Sequence, residues 1–201
     1  MMLAHKKIKE PILHCFQYGS KVYGNNTELS DDDYIVIVQA EEELEYGIHE
    51  GKENITVYSQ KTFERLLKEH DIAAMECIFS NETPYMFEVD LAQLRRSISA
   101  VASNSFVKCK KKLMQGPDYN PYIGKKSLFH SLRILDFGIQ IAEHGKIINF
   151  ASCNDLFFEI MSIESDDWTL FRERFEPIAK KLKSQFKKVA PLNKDVRNKN
   201  W

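Results

Sequence analysis

Long apolar runs are missing from this 201-residue chain: no stretch approaches the roughly 18 consecutive apolar residues that a bilayer span requires. The chain is therefore expected to work in water, with no membrane partner. Its opening, MMLAHKKIKEPILHCF, carries lysines but neither the uninterrupted apolar core nor the small-residue cleavage site of an export leader, which points to the cytoplasm. Cysteine is sparse. Cys15, Cys77, Cys109 and Cys153 are far apart and form no CxxC or Cys/His zinc spacing, so reduced, mostly buried thiols are expected rather than a disulfide framework. Internal repeats and low-complexity linkers are also absent, which excludes solenoids and tethered modules. With 43% hydrophobic and 28% charged residues, what remains is a globular chain able to bury a core as one large or two small domains.

Net charge is scarce too, at -1, but the balance conceals an asymmetry. Residues 1–100 carry 10 Lys+Arg against 18 Asp+Glu, and residues 101–201 carry 18 against 11. An acidic half suits cations and a basic half draws phosphates, although most of these charges also read as solvated helix faces.

Hydrophobic periodicity divides the chain in the same place. Residues 12–18 are β-branched or aromatic and stop at Gly19, YIVIV (34–38) is a continuous apolar run, and NITVY (54–58) is another, so a small sheet is expected. Residues 41–50 alternate around Tyr46 and Ile48 like an edge strand. From Gln60 the period becomes helical, with a break near His70 and Asp71, and 91–101 reads as a further helix. The fold class expected is α/β in the broad sense (α+β): an α/β core over 1–103, with a mixed sheet and flanking helices, then a mostly helical region over 104–201. In that region a lysine-rich segment covers 106–114 and a long helix covers 125–144, with Gly145 as its C-cap. A last helix starts at an N-cap on Ser165 or Asp166 and is kinked or broken by Pro177. The polar end, NKDVRNKNW, is expected to fray.

The chemistry concentrates in FQYGSKVYGNNTELSDDDYIVIV (16–38). Gly19 and Ser20 directly after a strand give a turn that can approach a ligand closely, opening onto backbone amides and a hydroxyl suited to phosphate oxygens. Asp31 and Asp33, two apart at the entry to a strand, project to one face, with Asp32 pointing away. Two carboxylates held this close repel one another unless they share a hard cation. Magnesium, bound through one or two carboxylates plus substrate phosphates, fits that description, and manganese is the alternative.

Gly19-Ser20, ten residues, then Asp31-x-Asp33 resembles the signature of minimal nucleotidyltransferases of the DNA polymerase β superfamily. GSxxYG followed by SDxDY is similar to the group of predicted nucleotidyltransferases that includes RNA-repair-associated members. Softer likenesses continue in ITVYSQKTFERLL, in AMECIFS with Glu76, and in KKSLFHSLRILDFG with His130 and Arg133. The resemblance implies that Asp31 and Asp33 hold magnesium and act in catalysis. It also implies that Gly19 and Ser20 face a nucleoside triphosphate such as ATP, and that a third carboxylate stands on the strand read at ITVY. There this chain has Glu53-Asn54, so Glu53 serves only after a change of register and an amide otherwise replaces the acid.

Tyr23 and Gly24 either shape the nucleotide pocket or close the turn. Glu76, among apolar residues, needs a partner: it either pairs with Arg133 or Lys126 as a structural buttress or contributes to the site. Lys126, His130 and Arg133 lie on one helix, either facing nucleotide phosphates or forming an ordinary polar face. The lysines at 108, 110, 111 and 112, and those at 180, 181, 183, 187 and 188, either track a nucleic-acid backbone or are solvated; no aromatic RNA-binding signature accompanies them. The expected activity is magnesium-dependent transfer of a nucleoside monophosphate to a hydroxyl on RNA or on a protein, releasing pyrophosphate. The alternatives are a weakly active or inactive, antitoxin-like binding protein of the same fold, and an RNA-binding module using the basic half.

Overall fold

The computed structural model describes residues 7–28 and 30–192. The polar end expected to fray, 193–201, lies outside the described residues. The chain divides into two compact units, residues 1–87 and 88–201. Their sequences carry net charges of -8 and +7, so the electrostatic asymmetry follows the structural boundary.

The first unit is built on a four-stranded mixed sheet in the order β1-β2-β4-β3. Strand β1 (Ile12–Tyr18) runs antiparallel to β2 (Asp32–Val38), β2 runs parallel to β4 (Glu53–Ser59), and β3 (Glu45–Glu50) closes the edge antiparallel to β4. The continuous apolar run of β2 is explained by burial on both faces. Ile35 and Ile37 join Phe16 on one face, against Phe63 and Leu67 of α2 (Gln60–Lys68) and Ala74, Cys77 and Ile78 of α3 (Ile72–Ser80). Val36 and Val38 join Ile48, Ile55 and Val57 on the other. The two helices start where side-chain oxygens satisfy free amides: Ser59 accepts from the Thr62 amide and Asp71 from that of Ala74. Between β1 and β2 lies one short helix, α1 (Ser20–Tyr23), ended by Gly24 at φ 73°.

The second unit is helical: α4 (Leu91–Leu113), α5 (Pro121–His144), α6 (Asn154–Ser162) and α7 (Trp168–Val189). Its core gathers Leu113 with Leu128, Leu132, Ile160, Phe171 and Phe175. Gly138 of α5 allows a close helix crossing, because a Cβ there would stand 2.9 Å from Ile98 and 3.0 Å from Phe186.

Three expectations change. The boundary at residue 103 falls inside α4. Ser103 and Asn104 are simply on the exposed side of one helix whose buried stripe continues from Ala102 to Cys109 and Leu113. Pro177 does not break α7, since the buried Phe171, Phe175, Ala179 and Phe186 on either side hold both halves to one core and offset a cost of about 3 kcal/mol. The N-cap of α7 is Asp167, accepting from the Thr169 amide, one residue beyond the expected pair. Gly145 does end α5, at φ 75° with its amide on the Ile141 carbonyl.

Candidate nucleotide and cation site

The site forms where the glycine turn after β1 meets the head of β2. Gly19 has φ 80° and ψ -155°, a region open essentially to glycine alone. A Cβ at this position would lie 2.6 Å from Asp33 Oδ2 and 3.2 Å from Asp33 Cβ. Two demands therefore fall on one residue: the backbone must turn, and the aspartate must pack against it. Behind the turn, the amides of Val22 and Tyr23 both fold back on the Gly19 carbonyl, at 3.0 and 3.2 Å. Ser20, half-buried, follows directly.

Across the sheet, register fixes the neighbours. Asp33 pairs with Tyr18 on one side and Asn54 on the other, and Asn54 pairs in turn with His49. Residues paired across strands share a face, so Tyr18, Asp33, Asn54 and His49 form a row. Asn54 Nδ2 donates to Asp33 Oδ1 over 2.9 Å. Burial, and next the charge of Asp33, push the Tyr18 phenol up to about 12, and its hydroxyl is hydrogen-bonded to Thr56. Tyr18 is thus a neutral wall beside the carboxylate, not a base.

Asp31 is exposed and lies just before β2, two residues from Asp33, so strand alternation assigns both to one face. Asp32 is turned the other way and forms an ion pair with Lys21 of α1. Glu53 pairs with Asp32, not Asp33. This corrects the expectation that Glu53 supplies a third acid: the β2–β4 register sends it to the opposite face and places the Asn54 amide beside Asp33. Among the described residues, no group of three or more His, Cys, Asp or Glu is placed to hold a metal. The donor set fits one hard divalent cation, with two carboxylates on the protein side and the remaining positions left to phosphate oxygens and water.

Tyr23 and Glu76 resolve together. Tyr23 is 5% exposed and Glu76 3%, and the phenol donates to the Glu76 carboxylate. Tyr23 thereby fastens α1 to α3 and closes the turn instead of lining a nucleotide pocket. Glu76 thus has a partner 53 positions earlier in the chain, within the same unit.

The remaining predicted residues belong to α5 of the second unit. Lys126 is exposed, its ammonium 5.4 Å from the Tyr122 ring centre. Arg133 is 5% exposed, lies over the rings of Phe129 and Phe137, and has its guanidinium 3.0 Å from His130 Nδ1. These three do not make one exposed polar face. Burial, followed by the charges of Arg133 and Lys108, pushes His130 down to about 3 from 6.5, so it accepts from Arg133 as a neutral ring. Because the folded pKa is the lower one, the unfolded chain binds the extra proton. The stabilisation is complete above pH 6.5 and is lost as pH falls towards 3. Moving from pH 7 to pH 5 should therefore cost about 2 kcal/mol at this group. Urea melts at both pH values should show that loss, and His130→Gln should abolish most of the difference.

Sequence reasoning missed Tyr18, Thr56 and His49 as neighbours of the site. Tyr18 was visible, since it directly precedes Gly19. Thr56 and His49 are brought in only by pairing between β2, β4 and β3, which no local pattern encodes.

No protein-family model matches the chain, and no curated protein matches it. Among solved structures it is similar to a nucleotidyltransferase-like protein from Exiguobacterium sibiricum 255-15, at 10% identity. That likeness covers 92% of this chain and 72% of the other, with a TM-score of 0.35. At that distance it adds nothing to the geometry of the site.

Proposed function

We propose that the first unit binds a nucleoside triphosphate with a divalent cation, magnesium or manganese, and that the protein transfers the nucleoside monophosphate to a hydroxyl acceptor. The observation that carries this reading is the contact between Gly19 and Asp33, which joins a phosphate-type turn and a cation-type carboxylate in one place. Asp31 and Asp33 would hold the cation, which when bound offsets the charge of the triphosphate. Ser20 and the backbone of its turn would orient the phosphate chain. In the reaction the acceptor oxygen forms a bond to the α-phosphorus as the α–β anhydride bond breaks. The hydroxyl proton passes to solvent and pyrophosphate leaves. Holding the two reactants in line is the main contribution available to these residues, because Tyr18 stays protonated and Asn54 cannot take a proton.

The charge of +7 on the second unit favours RNA over a protein as the acceptor, since a basic surface raises the local concentration of polyanions. Asn54 favours a second reading, in which the nucleotide is held and little is transferred. The two are separated by incubating the full chain with α-labelled triphosphates, magnesium, and RNA or protein acceptors. Transfer is expected from the wild type and none from Asp31→Ala/Asp33→Ala. No transfer by the wild type, with nucleotide binding unchanged in the double variant, would overturn the enzyme reading.

A further inference from the structure

Asp33 is held from both sides. Its Oδ1 accepts from Asn54 Nδ2 at 2.9 Å, and its Oδ2 lies against the Gly19 turn. A cation shared between Asp33 and β4 would need an acid at the β4 position paired with Asp33. Here that position carries an amide, whose NH2 end is a pair of donors with no negative charge to offer.

Among the described residues, no third acid joins Asp31 and Asp33 in a group able to hold a metal. Glu53 stands opposite Asp32, and Glu50 stands opposite Glu53, so both belong to the other face. Glu76 is buried and bonded by Tyr23. The remaining members of the row, Tyr18 and His49, carry no acid. Two divalent ions about 4 Å apart, the usual spacing of a paired site, repel with about four times the energy of two unit charges. With no acid on β4 to add to Asp31 and Asp33, two carboxylates alone oppose that repulsion.

We propose that Asn54 limits this site to a single divalent cation, the one that arrives with the triphosphate, by placing its amide on Asp33 at the position where a shared second cation would need an acid. Asn54 is then a positioning residue. It orients the Asp33 carboxylate towards the triphosphate-borne ion, and it sets the site to retain nucleotide with slow transfer. The inference rests on reading the site as one for a cation-bound nucleoside triphosphate.

The test counts manganese ions bound by the full chain, by electron paramagnetic resonance, at saturating non-hydrolysable triphosphate analogue. The wild type should bind one ion per chain. Asn54→Asp, nearly identical in shape, should bind two, with the second ion at least tenfold tighter than any second site in the wild type. Its transfer of α-label to acceptor should rise by the same order. Two ions on the wild type would overturn the inference, as would one ion on both proteins; either result leaves the triphosphate site standing. No manganese-dependent binding of the analogue by the wild type would overturn the site itself together with the inference.

Discussion

Gly19→Val should unfold the first unit more readily than any other single change in the turn, lowering its stability by about 2 to 6 kcal/mol. Two costs combine. A β-branched residue forced to φ 80° and ψ -155° carries strain of about 1 to 3 kcal/mol. A Cβ 2.6 Å from Asp33 Oδ2 cannot be accommodated unless the carboxylate or the turn moves, and overpacking of that kind costs about 1 to 3 kcal/mol. Globular domains have only about 5 to 15 kcal/mol in total, so the shift is large. Urea denaturation read by circular dichroism measures it. Gly19→Ala should show the same direction with a smaller size, because it brings the Cβ without the branch. Whatever stays folded should have lost affinity for triphosphate, since Asp33 is displaced. A Gly19→Val protein as stable as the wild type would remove the contact on which the site is built.

Asp33→Asn isolates charge from shape. The side chain keeps its size, so the Gly19 contact and the pairing with Tyr18 and Asn54 are retained, and stability should change by less than about 1 kcal/mol. Cation-dependent triphosphate binding should nevertheless fall by about 100-fold or more, beyond the roughly 10- to 100-fold that loss of an outer hydrogen-bond partner costs a metal site. Calorimetric titration with and without magnesium separates the two contributions. The cation-independent part should be little altered, because Ser20 and the turn are untouched. Asp32→Asn is the matching control, since its carboxylate is engaged by Lys21 on the other face.

The sequence-level pattern and the structure agree where the signal is local. Strands β2 and β4 follow from runs of β-branched residues that only a sheet covered on both faces accommodates. The turn at Gly19 follows from its position between a strand and a serine, and Gly145 follows from the end of a helical stripe. Asn54 as the neighbour of Asp33 also lies within reach of the sequence, because parallel strands starting at comparable points bring their first residues level. What escaped is what depends on pairing at a distance. The Tyr23–Glu76 bond joins residues 53 positions apart. His49 enters the row through an edge strand whose register is set by the β3–β4 pairing. The continuity of α4 across the expected boundary at 103 has no local marker, because Ser103, Asn104 and Ser105 are polar residues on or near the exposed side of an unbroken helix. Pro177 was misleading for the complementary reason: the penalty of an internal proline is a local quantity, and the four buried residues that outweigh it are revealed only by packing.

The central claim is that the Gly19–Asp33 site carries a triphosphate whose α-phosphorus is the reacting atom. The most direct measurement supplies the full chain with magnesium, an RNA acceptor and triphosphate labelled in turn on the α- and γ-phosphate, then follows both labels. The account predicts α-label on the acceptor, γ-label only in released pyrophosphate, and loss of both signals in Asp31→Ala/Asp33→Ala. Label from the γ-position on the acceptor, or α-label transfer that persists in the double variant, would contradict it.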